Sequence, residues 1–159
     1  MLKRPPLSLE QALQKLRHYC GYQTRCHQEV KEKLYSFGLR KQDVETAIAT
    51  LIEEDYLNEE RYAVHFASGH FRLKQWGKVK IRYELKQKQV GEYCIKKALA
   101  AIGDEEYLKT FEKLATDKWM ALKEETGYAR RGKLQDYLAR KGYEQDLIRK
   151  AIKETSQTP

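Results

Sequence analysis

The chain has 159 residues, a length for one domain or a short string of small modules that can fold without disulfides or metal. Only nine Gly and three Pro punctuate it, too few for the turn every ~8–12 residues that sandwiches and barrels need, which disfavours an all-β fold. Lys and Arg number 31 against 23 Asp and Glu, a net charge of +8 that favours an anionic partner, nucleic acid first among them.

Residues 1–6 form a short tail carrying Lys3 and Arg4. Leu9, Ala12, Leu13 and Leu16 then make a helical stripe after Ser8, an N-cap residue with Gln11 at the capping-box position. Val30 and Leu34 lie four apart on a second helix, Gly38 stops it, and Val44, Ala47 and Ile48 give the i, i+3, i+4 stripe of a third. The pattern restarts after Asn58 with Tyr62, Ala63, Phe66 and Ala67. Ile81 and Leu85, then Gln89-Val90, then Ile95, Ala98 and Leu99 repeat the later two helices. A third round opens after Asp104 with Phe111, Leu114, Ala115, Trp119 and Met120. It continues through Leu134, Leu138, Gly142-Tyr143, Ile148, Ala151 and Ile152.

The equivalent leucines Leu34, Leu85 and Leu138 fall 51 and 53 residues apart, and the apolar positions around them align without a gap. Self-similarity of this kind signals a repeat architecture. A two-helix hairpin cannot enclose its own apolar face, which is why each takes a preceding helix. The sequence therefore predicts an all-α, elongated tandem array of three three-helix repeats over 7–55, 56–102 and 103–155, with a C-terminal tail at 156–159. Each repeat should touch mainly its neighbours.

The excess charge is concentrated. Residues 1–6 carry +2, residues 7–55 carry −1, residues 56–102 carry +6 and residues 103–159 carry +1. Within residues 71–88 of the middle repeat, Arg72, Lys74, Lys78, Lys80, Arg82, Lys86 and Lys88 stand against Glu84 alone. With Ile81 and Leu85 inward, Val79, Lys80, Arg82, Tyr83 and Lys86 turn outward, a basic-aromatic face suited to phosphate contact with stacking or to an acidic protein surface. A smaller cluster, Arg130, Arg131 and Lys133, sits at the start of a late helix, where positive charge opposes the helix dipole. Arg140, Lys141, Arg149 and Lys150 read as ordinary surface charges.

Little points to catalysis. His65 and His70 are five apart on one helix, too far round for a shared metal; Cys20, Cys26 and His27 lack zinc-site spacing, and no phosphate-cradling glycine motif is present. The expectation is a protein with no enzyme activity, cofactor or metal. Three cysteines fit reduced thiols, the opening residues lack a signal peptide's apolar run, and no stretch approaches the ~18 apolar residues of a membrane span. A cytoplasmic monomer is expected.

The segment Asp55-Tyr56-Leu57-Asn58-Glu59-Glu60-Arg61-Tyr62-Ala63, followed by Arg72, Gly77, Ile81, Glu84-Leu85 and Lys88, resembles the RecX family of bacterial regulatory proteins. Asn58-Glu59 stands for the family's Asp-Asp type turn, and Gln89 for its preferred Gly. The resemblance implies a protein that binds the RecA recombinase, chiefly as its filament on DNA, and restrains its ATP hydrolysis, strand exchange and co-protease activity in recombination and the SOS response. Single- or double-stranded DNA is a further implied partner. A helix-turn-helix transcriptional regulator is the alternative reading. Its base-reading residues would be Gly91-Glu92-Tyr93 or Glu144-Gln145-Asp146, which are mostly acidic or neutral.

Overall fold

A computed structural model describes residues 4–155 and 157. Lys3 of the basic tail, and 156 and 158–159 of the C-terminal tail, lie outside the described residues. These residues form nine α-helices and no strand: α1 (Leu9–Tyr22), α2 (His27–Ser36), α3 (Lys41–Glu53), α4 (Glu59–Lys74), α5 (Lys78–Gln87), α6 (Glu92–Ala100), α7 (Asp104–Ala121), α8 (Gly127–Lys141) and α9 (Gln145–Thr155). None of these helices is long and apolar enough to cross a membrane. Consecutive triplets of helices pack together, giving the tandem array of three-helix repeats.

Local chemistry sets the helix ends. Ser8 and Gln11 form a reciprocal capping box on α1 (3.1 and 3.0 Å), and the Asn58 side chain accepts the Arg61 N–H at the start of α4 (2.9 Å). Gly38 and Gly142 end α2 and α8 with φ of +84° and +93°, the left-handed region that glycine enters without a Cβ clash. Gln89, at the same place after α5, takes φ +61° without being glycine.

The core follows the stripes read from the sequence, with Leu9, Ile48, Phe66 and Ile152 only half-buried at its edges. Met120 is 59% exposed and turns away from the Trp119 side of α7. Helix α7 opens at Asp104, with Gly103 at its N-cap position. Helix α8 starts at Gly127, capped by Thr126, and is 15 residues long where α2 and α5 have 10. The extra N-terminal turn places Arg130 inside the helix.

Two apolar cores result. One joins α1, α2 and α3 and takes in Leu57; the other runs through the second and third repeats and takes in Cys26 from the start of α2. The joint between the second and third repeats is made of backbone. Helix α5 has no side-chain cap; instead the Gly77 N–H donates to the Lys141 carbonyl (2.7 Å), and the Val79 and Lys80 N–H groups donate to the Gly142 carbonyl (2.9 and 3.3 Å). The electropositive start of α5 thus meets the electronegative end of α8, and each satisfies groups that a helix end leaves unpaired. The approach is so close that a Cβ on Gly77 would lie 2.2 Å from the Gly142 oxygen, and one on Gly142 would lie 2.1 Å from the Lys80 Cβ.

Candidate partner-binding face

Helix α5 buries Ile81 and Leu85 completely. At 3.6 residues per turn this puts Val79 and Tyr83 at the middle of the opposite side, with Lys80 on one flank and Arg82 and Lys86 on the other. Val79 and Tyr83 are 52% and 59% exposed. The face is therefore an apolar strip between two cationic edges, with the basic and aromatic residues of α5 that the sequence turned outward separated into strip and flanks.

The cations differ in how far the protein already occupies them. Lys80 is half-buried, its Nζ 4.6 Å from the centre of the Trp76 ring and 3.4 Å from the Arg140 carbonyl. Lys74 lies over the same ring at 5.3 Å. Lys78 lies 4.8 Å over the Tyr107 ring and 3.8 Å from the Asp104 carboxylate. Arg82 is hydrogen-bonded to Glu92, and Lys86 is 3.9 Å from the same carboxylate. The Arg82 guanidinium holds the Glu92 carboxyl below its usual range. The exposed Arg72 and the half-buried Lys88 carry no side-chain hydrogen bond or ion pair among the described residues. Tyr83 is open to a partner.

The joint adds charges that sequence reasoning passed over. Lys141 donates from Nζ to the Lys74 carbonyl (2.9 Å), and Arg140 adjoins Lys80 through its carbonyl. Lys74, Lys80, Arg140 and Lys141 thus gather where the second and third repeats meet. Nothing local marks this, because the pairs lie 60 and 67 residues apart in sequence.

The smaller late cluster is differently used. Arg130 donates twice to the Trp119 carbonyl (3.0 and 2.6 Å), with its guanidinium 3.7 Å from the Trp119 ring centre. It caps the end of α7 and ties α8 to it. Lys133 pairs with Glu125. Arg131 is exposed, without a side-chain partner among the described residues. No group of three or more His, Cys, Asp or Glu side chains able to hold a metal occurs among the described residues.

Tandem three-helix repeats, the second and third joined turn to turn, with a cation-edged apolar face on the middle one, define a class of helical-array proteins. Residues 58–99 match the model of the RecX second three-helix domain, and residues 104–152 that of the third. The curated protein "Regulatory protein RecX" of Clostridium botulinum is 33% identical over 132 residues, covering 82% of this chain and 61% of its own length. Its Thermotoga petrophila counterpart is 31% identical over 135 residues, covering 82% of this chain and 76% of that protein. The crystal structure of RecX from Lactobacillus salivarius shares the fold, with a TM-score of 0.84, 22% identity and coverage of 94% of this chain and 97% of that one. The chain belongs to the RecX family of regulatory proteins. It spans half the length of a Bacillus cytotoxicus relative and 61% of the Clostridium botulinum one.

Proposed function

We propose that this chain is a cytoplasmic, non-enzymatic regulator that binds the RecA recombinase and its filament on DNA and restrains the filament's ATPase, strand-exchange and co-protease activities. The observation that carries the reading is the middle repeat. It combines an exposed apolar centre, Val79 and Tyr83, with flanking cations, and it belongs to a chain whose family is regulatory. An apolar strip with charged edges suits an acidic protein surface, because the strip supplies the desolvated contact and the edges steer the approach. Phosphate contacts from the same cations would make any DNA affinity fall steeply with salt. Base readout by a helix-turn-helix finds little support: Glu92 at the start of α6 is engaged by Arg82, and Asp146 at the start of α9 by Arg149 (2.8 Å).

The test is the single-stranded-DNA-dependent ATPase of RecA with the protein titrated to stoichiometric amounts. Inhibition is expected, and the double variant Tyr83→Ala, Lys86→Ala is expected to weaken it at least tenfold with the helical circular dichroism unchanged. A flat titration with the parent protein would sink the reading; full activity of the variant would remove this face from it.

A further inference from the structure

A second surface feature lies away from the centre of α5, in the groove between the first and second repeats. The groove encloses about 400 Å³. One wall comes from the α1–α2 connection, Gln23 and Thr24, together with Glu29; the other is a single side of α4, where His65, Phe66, Gly69, His70 and Leu73 recur at helical spacing. Three properties of that side stand out.

The first is a ladder of rings. Phe66 and His70 are 4.0 Å apart between centroids, His70 and Trp76 4.5 Å, and Tyr62 and Phe66 6.0 Å. The His70 Nδ1–H donates to the Phe66 carbonyl at 2.8 Å, which fixes the ring within the ladder. The second is Gly69. It sits inside α4, where glycine is the poorest helix former after proline, yet a Cβ there would meet nothing within 4 Å. The fold itself gives no reason for the missing side chain, and its absence leaves the floor of the groove open. The third is charge. Lys74 and Lys88 line the groove. Its carboxylate, Glu29, is already committed to the Cys26 N–H and thiol (3.4 and 3.2 Å) and to Arg25 at 3.6 Å. Leu73 stands at the rim 86% exposed.

We propose that this groove is a binding site for one nucleotide unit, its base lying over Gly69 against the Phe66–His70 rings and its phosphate at Lys74 and Lys88. A flat aromatic ligand with an anionic tail is the chemistry that stacked rings, a glycine floor and two lysines share. The unit comes either from an unpaired DNA strand or from a free nucleotide. The proposal rests on the reading that the protein works on nucleic-acid filaments, and adds the place where a nucleotide is held.

The experiment measures anisotropy of fluorescein-labelled (dT)12, with AMP and dTMP as competitors, on the parent chain, Gly69→Leu and Lys88→Ala. Gly69→Leu fills the groove where the backbone has open space, so the helix should melt no lower than the parent's, while strand affinity drops at least tenfold. Lys88→Ala should lose about fivefold and lower the slope of log affinity against log salt by about one. Competition by millimolar mononucleotide assigns the site to free nucleotide; failure to compete, with both variants still defective, assigns it to the strand. Parent-like strand binding by both variants, or no binding of any probe by the parent, overturns the proposal. That outcome leaves the ATPase test untouched, since Tyr83 and Lys86 do not line this groove.

Discussion

At the residue scale, the three helix–helix turns show how one backbone position is filled in different ways. Gly38 and Gly142 take the left-handed conformation freely, whereas Gln89 holds φ +61° with an exposed side chain that makes no hydrogen bond among the described residues. A non-glycine residue there carries a cost of about 1–2 kcal/mol, offset in part by the greater freedom glycine has in the unfolded chain. Gln89→Gly is therefore expected to stabilise the protein by about 0.5–1 kcal/mol. Gly142→Ala has the opposite sign and a larger size, about 2–3 kcal/mol, because a Cβ would sit 2.1 Å from Lys80 Cβ in addition to the backbone strain. Urea unfolding of the two variants checks both; equal midpoints would contradict the account of the turns. Gly38 and Gly142 were legible as stops from spacing alone. The need for glycine at 77 was not, since its reason is the oxygen of a residue in the next repeat.

At the scale of elements, the second and third repeats are held by phenols as well as by backbone. The Tyr107 hydroxyl donates to Glu144 and accepts from the Lys78 N–H (2.9 Å), and the Tyr143 hydroxyl donates to the Gln75 carbonyl (2.9 Å). Tyr62, against Cys26 and Glu29, does the corresponding work between the first and second repeats. Burial raises all three phenols above their ordinary range and pushes the Cys26 thiol up to about 11. Each folded-state value is raised, so each group's contribution to stability is complete below the unfolded value, ~10 for Tyr and ~8.5 for Cys, and is lost as pH climbs beyond it. In an alkaline titration, tyrosinate absorbance from these three should emerge together with the loss of helical circular dichroism. Their ionisation while the helices remain intact would show that the phenols are not locked in the joints. The late basic cluster teaches the same lesson about elements. The Arg130 charge opposes the dipole of α8, yet its guanidinium finds the Trp119 carbonyl, which only the packing of α8 on α7 brings within reach.

At the scale of the molecule, the joints are unequal. The second and third repeats share one core and a set of backbone bonds through Gly77, Val79, Lys80, Lys141 and Gly142. The first repeat has its own core, which takes in Leu57, and meets the second through Cys26, the Tyr62 contact, Arg61 hydrogen-bonded to the Asp55 carboxylate and carbonyl (3.2 and 2.9 Å) and a His27–Glu59 pair at 3.9 Å. Local stability follows such contacts. Hydrogen exchange read by mass spectrometry should therefore show α1, α2 and α3 opening as one group, more readily than α4 to α9. Exchange of all nine helices as a single group would refute the inequality. The proposed nucleotide groove lies at the looser joint, which would let a ligand there stiffen the array.

The sequence by itself determined the helices and their threefold recurrence, because helix formation and amphipathic burial depend on residues three or four apart, and such patterns survive in one dimension. It also located the excess of positive charge in the middle repeat. What tertiary structure alone decided is how that charge is spent: Lys74, Lys80, Arg140 and Lys141 meet across a joint, Arg82 is taken up by Glu92, and a glycine floor and a ladder of rings face the α1–α2 connection. Those relations rest on helix ends and side chains tens of residues apart coming within a few ångströms, and periodicity carries no record of such distances.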